Sequence, residues 1–170
     1  MSSKSPAKRH NVLAELFEDR TPTRWVTRER PKIDRIACPW LIRRFLDPDA
    51  EFVFAPPEEV FAVAEKQNAV AFDIPGAPFS HAGERCSFDA FIERFQIEDP
   101  GVLALQPIIR GADTDRHDLA PEAAGLHALS LGLSITHDDD HALLEQGIII
   151  YDALYAWAVK AHGQRHSWTP

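Results

Sequence analysis

Cysteine is scarce in this 170-residue chain: only Cys38 and Cys86 are present, and no Cys-x-x-Cys pair occurs. That excludes a disulfide-built scaffold and a close-spaced redox dithiol, and it points to a reducing, cytoplasmic setting. No uninterrupted apolar run approaches the ~20 residues of a membrane-spanning helix, and the first ten residues lack a signal-type hydrophobic stretch. No membrane partner is expected. A glycine-rich phosphate loop and a Gly-x-Ser-x-Gly elbow are both missing, so neither a nucleotide cofactor nor a Ser/His/Asp triad is indicated. There is no internal repeat and no low-complexity tract.

What is present suits one globular domain. Hydrophobic residues make up 45% of the chain and charged residues 26%, enough apolar material for a core at this length. The net charge of −8 is unevenly spread: residues 1–44 hold 11 of the 18 Lys and Arg but 5 of the 26 Asp and Glu. Nucleic-acid binders usually present a basic domain, and most of this chain is acidic, so direct DNA binding is not expected. The division expected is a flexible arm over 1–23, a single domain over 24–163 and a loose tail over 164–170. Within the arm, residues 11–19 read as a short helix with Leu13, Leu16 and Phe17 on one side.

The element order implies an α/β fold with a small mixed or parallel sheet of about three strands in the N-terminal half, and a helical C-terminal half. Arg24–Arg28 alternates and reads as a first strand. Pro39 suits a first helical turn, so a helix is expected from about Cys38 to Leu46, stopped by Pro48. Ala50–Ala55 is a second strand, Pro56–Gln67 an amphipathic helix with Val60, Phe61 and Ala64 inward, and Ala69–Ile74 a third strand. Alternation of strand and helix favours parallel pairing. Further helices are expected from Ser87, as N-cap, to Gln96, over Pro100–Ile109, over Pro121–Leu131 with Gly132 at its end, and from Asp138–Asp140 to about His162.

Chemistry concentrates in the loop after the third strand, which carries Asp73, His81, Glu84, Arg85 and Cys86 between Pro75 and the next helix. By the crevice rule, such a loop lies at the carboxyl edge of the sheet. His81 and Glu84 are spaced to share a cation, and Asp113, just past Arg110-Gly111-Ala112, is an available third donor; Zn, Fe or Mn would suit such a set. Gly111 is expected to let the chain turn so that Asp113 points back into a pocket. Arg43, Arg44 and Arg110, near element ends, are candidates to hold a small anion or oxyanion, and Asp152 is grouped with them as a ligand-binding candidate. Asp152, on an apolar helical face, needs a partner, with Arg110 or Arg43 within choice. Asp34, Arg35 and Cys38 are candidate catalytic groups. Cys38 would be an activated thiol near a helix start or, as is more common, a small buried side chain packing beside Trp40. The Asp138–Asp140 run is explained by helix capping.

Five blocks carry a family resemblance: Asp34-Arg-Ile-Ala-Cys-Pro-Trp-Leu-Ile-Arg-Arg-Phe-Leu-Asp-Pro48, Phe79-Ser-His-Ala-Gly-Glu-Arg-Cys-Ser-Phe-Asp89, Ile109-Arg-Gly-Ala-Asp113, Ala120-Pro-Glu-Ala-Ala-Gly-Leu126 and Tyr151-Asp-Ala-Leu-Tyr155. Together, over roughly Arg24 to Trp157, they resemble the C-terminal domain of the chromate-resistance ChrB family. The resemblance implies a role beside chromate efflux, chiefly in chromate-responsive regulation. Only about twenty residues precede the matched stretch, fewer than a separate DNA-binding domain needs, so a standalone domain that senses or detoxifies is expected. It would bind a metal, an oxyanion or both in its loop pocket; the alternative is a metal-dependent enzyme acting on a small anionic substrate. The apolar last helix and Trp168 leave a homodimer open, and a monomer would read the same.

Overall fold

Arg24–Arg28 (β1) is a strand because Trp25, Val26 and Thr27 are all fully buried, one face to each side of the sheet. In the computed structural model, which describes residues 12–17 and 22–164, β1 lies between Glu51–Ala55 (β2) and Val70–Ala71 (β3). The order is β2-β1-β3 and both pairings are parallel, with Val26 opposite Val53 and Ala71. Parallel sheets need cover on both faces. Helix α3 (Val60–Gln67) covers one, packing Val60 with Val26, Ala55, Ala69, Ala71 and Ile74. On the other, Trp25 meets Phe72, Phe79 and Phe91 at ring-centroid distances of 6.4, 5.9 and 5.5 Å. These are edge and tilted geometries that aromatic quadrupoles favour.

Helix α1 spans residues 12–17 and buries Leu13 in the main core. Residues 1–11 and 18–21 of the expected arm, with both ends of the helix expected over 11–19, and 165–170 of the expected tail lie outside the described residues. Helix α2 (Asp34–Leu41) is buried at every position except Arg35 and runs into a π-helical turn, Ile42–Leu46, closed by Asp47 N–H on the Ile42 carbonyl at 2.7 Å. The helical half follows: α4 (Ser87–Phe95), α5 (Pro100–Asp113), α6 (Ala123–Thr136) and α7 (Asp140–Lys160). Asp99 and Asp139 cap α5 and α7, accepting from Val102 and Ala142 N–H at 3.0 and 2.7 Å. By length and composition alone α7 is long and apolar enough to cross a membrane. Here one of its faces, from Leu143 to Tyr151, is buried in the domain core.

The α/β class, the parallel pairing and the helical second half agree with the sequence. Several local expectations do not. Helix α2 begins at Asp34, not near Cys38, and contains Pro39 as its sixth residue; burial of Ile36, Ala37 and Cys38 outweighs the hydrogen bond that proline forfeits. Phe61 is 47% exposed rather than inward. Cys86, not Ser87, caps α4, in a reciprocal box with Asp89. Helix α5 does not end at Ile109 but continues through Gly111. The glycine serves close packing rather than a turn, since a Cβ there would sit 2.7 Å from the Arg116 carbonyl. Gly132 lies inside α6, which runs on to Thr136.

Gly147 sets how closely α7 approaches α2, because a Cβ at that position would meet Ile36 Cγ2 at 2.5 Å. Gly147→Ala therefore forces the two helices apart. The expected cost is ~1–3 kcal/mol, read as a melting temperature lower by roughly 2–12 °C. An unchanged melting temperature would show that the α2–α7 packing has slack.

Candidate functional site

The carboxyl ends of β1 and β3 open into a cleft of about 550 Å³ whose lining includes Arg28, Lys32, Ile33, Arg35, Asp73, His81, Asp113, Asp115 and His127. Each side chain arrives for a local reason. Arg28 ends β1 and Asp73 follows β3, held in a left-handed turn (φ 51°) by its N–H on the Phe79 carbonyl at 2.8 Å. Asp34 opens α2 and Asp113 closes α5. Ile33, just before Asp34, has φ 33° and ψ −94°, a region that costs a β-branched residue of order 1–3 kcal/mol. Tyr151 Oη–H, donating to the Ile33 carbonyl at 3.1 Å, helps hold it there.

Three carboxylates converge on one imidazole nitrogen. His81 Nε2 lies 2.9 Å from Asp113 Oδ2, 3.4 Å from Asp34 Oδ2 and 3.4 Å from Asp73 Oδ1. The donor atoms of Asp34, His81 and Asp113 all fall within 4.8 Å of one another. Asp34 is fully buried and accepts from the Ser87 and Phe88 N–H groups at 2.5 and 3.3 Å, so the α4 N-terminus backs it. Asp73 is nearly as buried and uses both oxygens: Oδ1 accepts from Ser87 Oγ–H at 2.8 Å, and Oδ2 pairs with Arg28 at 3.0 Å and Arg35 at 3.4 Å.

The ionisation follows from this crowding. Hydrogen bonds to Asp113, Asp34 and Asp73 push the half-exposed His81 ring up to about 12. Burial, with the Asp113 and Asp73 charges added, pushes Asp34 up to about 7 against the lowering effect of His81. Burial raises Asp73 as well, but hydrogen bonds from His81 and Ser87 and the Arg28 and Arg35 charges outweigh it and leave Asp73 below its ordinary value. At separations of about 4–5 Å, two like unit charges repel by roughly 3–4 kcal/mol at an effective dielectric of about 20. Three carboxylates stay together here because a positive charge sits among them.

Of the residues singled out from the sequence, Asp34, Arg35, His81 and Asp113 meet in this cleft. Glu84 is exposed and is not one of the grouped donors. Cys38 is wholly buried, and burial first, then the Asp34 and Asp73 charges, push its thiol well above the ordinary range; it is an inert core residue. The other arginines are engaged elsewhere. Arg43 pairs with Glu145 at 2.6 Å and sits over the Phe52 ring. Arg110 forks onto the buried Asp89 at 2.7 and 2.8 Å. Arg44 forks onto Asp152, which also accepts from Trp40 Nε1–H at 2.9 Å, so the partners of Asp152 are Arg44 and Trp40 rather than Arg110 or Arg43. Arg28, Lys32 and the serine bridge of Ser87 were missed. The crevice rule, applied to the end of β1 as well as β3, would have found Arg28.

Fold and site together define a small parallel α/β domain with an ionisable cleft at the carboxyl edge of its sheet. The C-terminal domain of ChrB matches residues 25–158, and the chain belongs to that family. It is 36% identical over 157 residues to Protein ChrB of Cupriavidus metallidurans, a match covering 89% of this chain and 47% of that relative. The chain thus spans less than half of that relative's length. No solved structure matches. Family membership suggests an association with chromate resistance.

The crowding around His81 has a signed consequence. A histidine whose folded pKa lies above its unfolded value contributes stability in full below about 6.5, and loses it as pH rises toward the folded value of about 12. In metal-free protein, the stability gap between wild type and His81→Gln should shrink steadily as pH rises above about 6.5. Proton NMR of the His81 ring should still show imidazolium at pH 9; a midpoint near pH 6.5 would mean the three carboxylates do not act on it together.

Proposed function

We propose that the cleft binds a divalent cation on His81, Asp34 and Asp113, with Asp73 beside them, and a small oxyanion against Arg28, Lys32 and Arg35. The observation that carries this reading is the convergence of three carboxylates on His81 Nε2. Such a centre demands positive charge, and a dication answers three carboxylates better than one imidazolium does. An oxygen-rich set with one imidazole suits Mn²⁺ or Fe²⁺. Asp73 ties the two halves of the cleft together, since one of its oxygens faces the His81 centre and the other faces the arginines.

The charge balance supports an anion as the second ligand. The carboxylates of Asp34, Asp73, Asp113 and Asp115 face Arg28, Lys32 and Arg35, all lining or flanking one cleft, with one negative charge in excess. A dication at the His81 centre turns that balance net positive. The family's association with chromate resistance makes chromate the first oxyanion to test. On this reading the domain senses or sequesters the anion and need not turn it over.

The test uses the full chain purified without chelator. Wild type should bind one equivalent of Mn²⁺ by calorimetry. His81→Ala and Asp113→Asn should weaken that binding at least about 10–100-fold, the loss that even supporting partners of a metal ligand produce. Chromate at a hundredfold excess over its Kd should then raise the melting temperature by roughly 5–10 °C. That rise should shrink when Mn²⁺ is removed or Arg28 is changed to Ala, and chloride should not reproduce it. Full Mn²⁺ binding by both variants would overturn the cation site. Equal stabilisation by chloride would overturn the oxyanion.

A further inference from the structure

The cleft has a second cluster that the His81 centre does not use. His117 Nε2 faces His127 Nδ1 at 3.3 Å, and Asp115 Oδ1 lies 3.7 Å from the same His117 nitrogen. The three donor atoms fall within 4.8 Å of one another, and Asp115 and His127 line the same cleft as His81 and Asp113. Their chemistry differs from that of the inner group, with two imidazoles and one carboxylate in place of one imidazole and several carboxylates.

The three residues are held by the fold rather than gathered on a free loop. Thr114 ends α5 with its hydroxyl donating to the Arg110 carbonyl at 2.7 Å, and Asp115 follows in a left-handed turn (φ 57°). Arg116 N–H donates to the Gly111 carbonyl at 2.9 Å, and Leu119 N–H to the Arg116 carbonyl at 3.0 Å, which closes the 3-10 turn His117–Leu119 over α5. Gly111 is what allows that turn to sit so near. His127 projects from the second turn of α6, so the two imidazoles come from separately anchored elements. The neighbouring Asp118 is taken by a fork from Arg116 at 2.8 Å through each nitrogen, which leaves Asp115 as the carboxylate beside the imidazoles.

Two ring nitrogens facing each other at hydrogen-bond distance need one proton between them. A metal ion can replace that proton and accept a lone pair from each ring. Two imidazoles and a carboxylate select a borderline transition-metal dication, Cu²⁺ or Zn²⁺ and their like, whereas the inner group suits a harder ion. We infer that Asp115, His117 and His127 form a second cation site at the rim of the cleft, specific for borderline transition-metal dications. This site stands on its own donors and does not require the inner one to be occupied.

The experiment is a Cu²⁺ titration of the full chain, read by low-temperature EPR, with Mn²⁺ calorimetry on Cu²⁺-free portions of the same preparations. Wild type should show the nitrogen splitting of two imidazoles on Cu²⁺. His127→Ala and, independently, His117→Ala should each lose that two-nitrogen pattern and weaken Cu²⁺ at least tenfold, while Mn²⁺ binding stays as in wild type. His81→Ala should do the reverse, keeping the two-nitrogen pattern and losing Mn²⁺. Should His127→Ala prove unfolded by circular dichroism, the partly exposed His117→Ala decides the matter alone. A two-nitrogen pattern that survives His117→Ala, or the absence of such a pattern in wild type, would overturn the rim site. Loss of Mn²⁺ binding at His81 alone would instead bear on the inner centre.

Discussion

Everything around the cleft follows from keeping three carboxylates within reach of one nitrogen. Asp34 is buried where a carboxylate has no water, so it needs N–H donors, and the start of α4 supplies two of them. Asp73 needs cations behind it, and Arg28 and Arg35 provide them from β1 and α2. Asp113 reaches the centre because α5 stays helical through Gly111 instead of turning there. The strained Ile33 is tolerated because the backbone must aim Asp34 inward, and Tyr151, far along α7, helps hold its carbonyl. Packing of the helical half is therefore part of the site's construction as well as of the core.

The coarse architecture was legible because it rests on strong, local signals. β1 matched its expected span because its β-branched and aromatic content, Trp25, Val26 and Thr27, favours a strand buried on both faces. The two central loop blocks gave His81 and Asp113, and α2 gave Asp34 and Arg35. Glu84 misled because spacing in a loop says nothing about direction. The loop turns at Gly83, which has φ 61°, and leaves Glu84 in solvent while His81 faces inward. Phe61 misled for a related reason: helix α3 presents Val60 to the sheet, and Phe61, one position on, is turned away from it.

The arginines show where sequence reasoning stops. Arg43, Arg44 and Arg110 stand near element ends, as anion-binding arginines often do, yet each is matched to a carboxylate of its own. Their partners lie 21 to 108 residues away, a separation at which pairing has no local signature. These pairs do structural work of unequal weight. Arg44–Asp152 and Arg43–Glu145 are largely exposed at one or both partners, where an ion pair contributes about 0–1 kcal/mol. Asp89 is different: it is buried, it completes the α4 capping box, and it accepts from Nε and Nη2 of Arg110 as well as from Gln106. Removing Arg110 would leave that carboxylate short of its charge partner.

The two donor groups share a cleft and one short connection. Asp113 and Asp115 flank Thr114, the former facing the oxygen-rich inner centre and the latter the imidazoles of the rim. Their different donors keep them from competing for the same ion, because affinity for a hard dication falls where imidazole replaces carboxylate and rises for a borderline one. Their common segment also couples them. A cation drawing Asp115 toward His117 and His127 acts on the residue two positions from an inner donor, at the end of a helix whose Gly111 packing leaves little room to shift. Charge acts in the same space: a dication at the rim adds positive potential to a cleft already walled by Arg28, Lys32 and Arg35. It therefore opposes a second cation at the inner centre while favouring an anion between them.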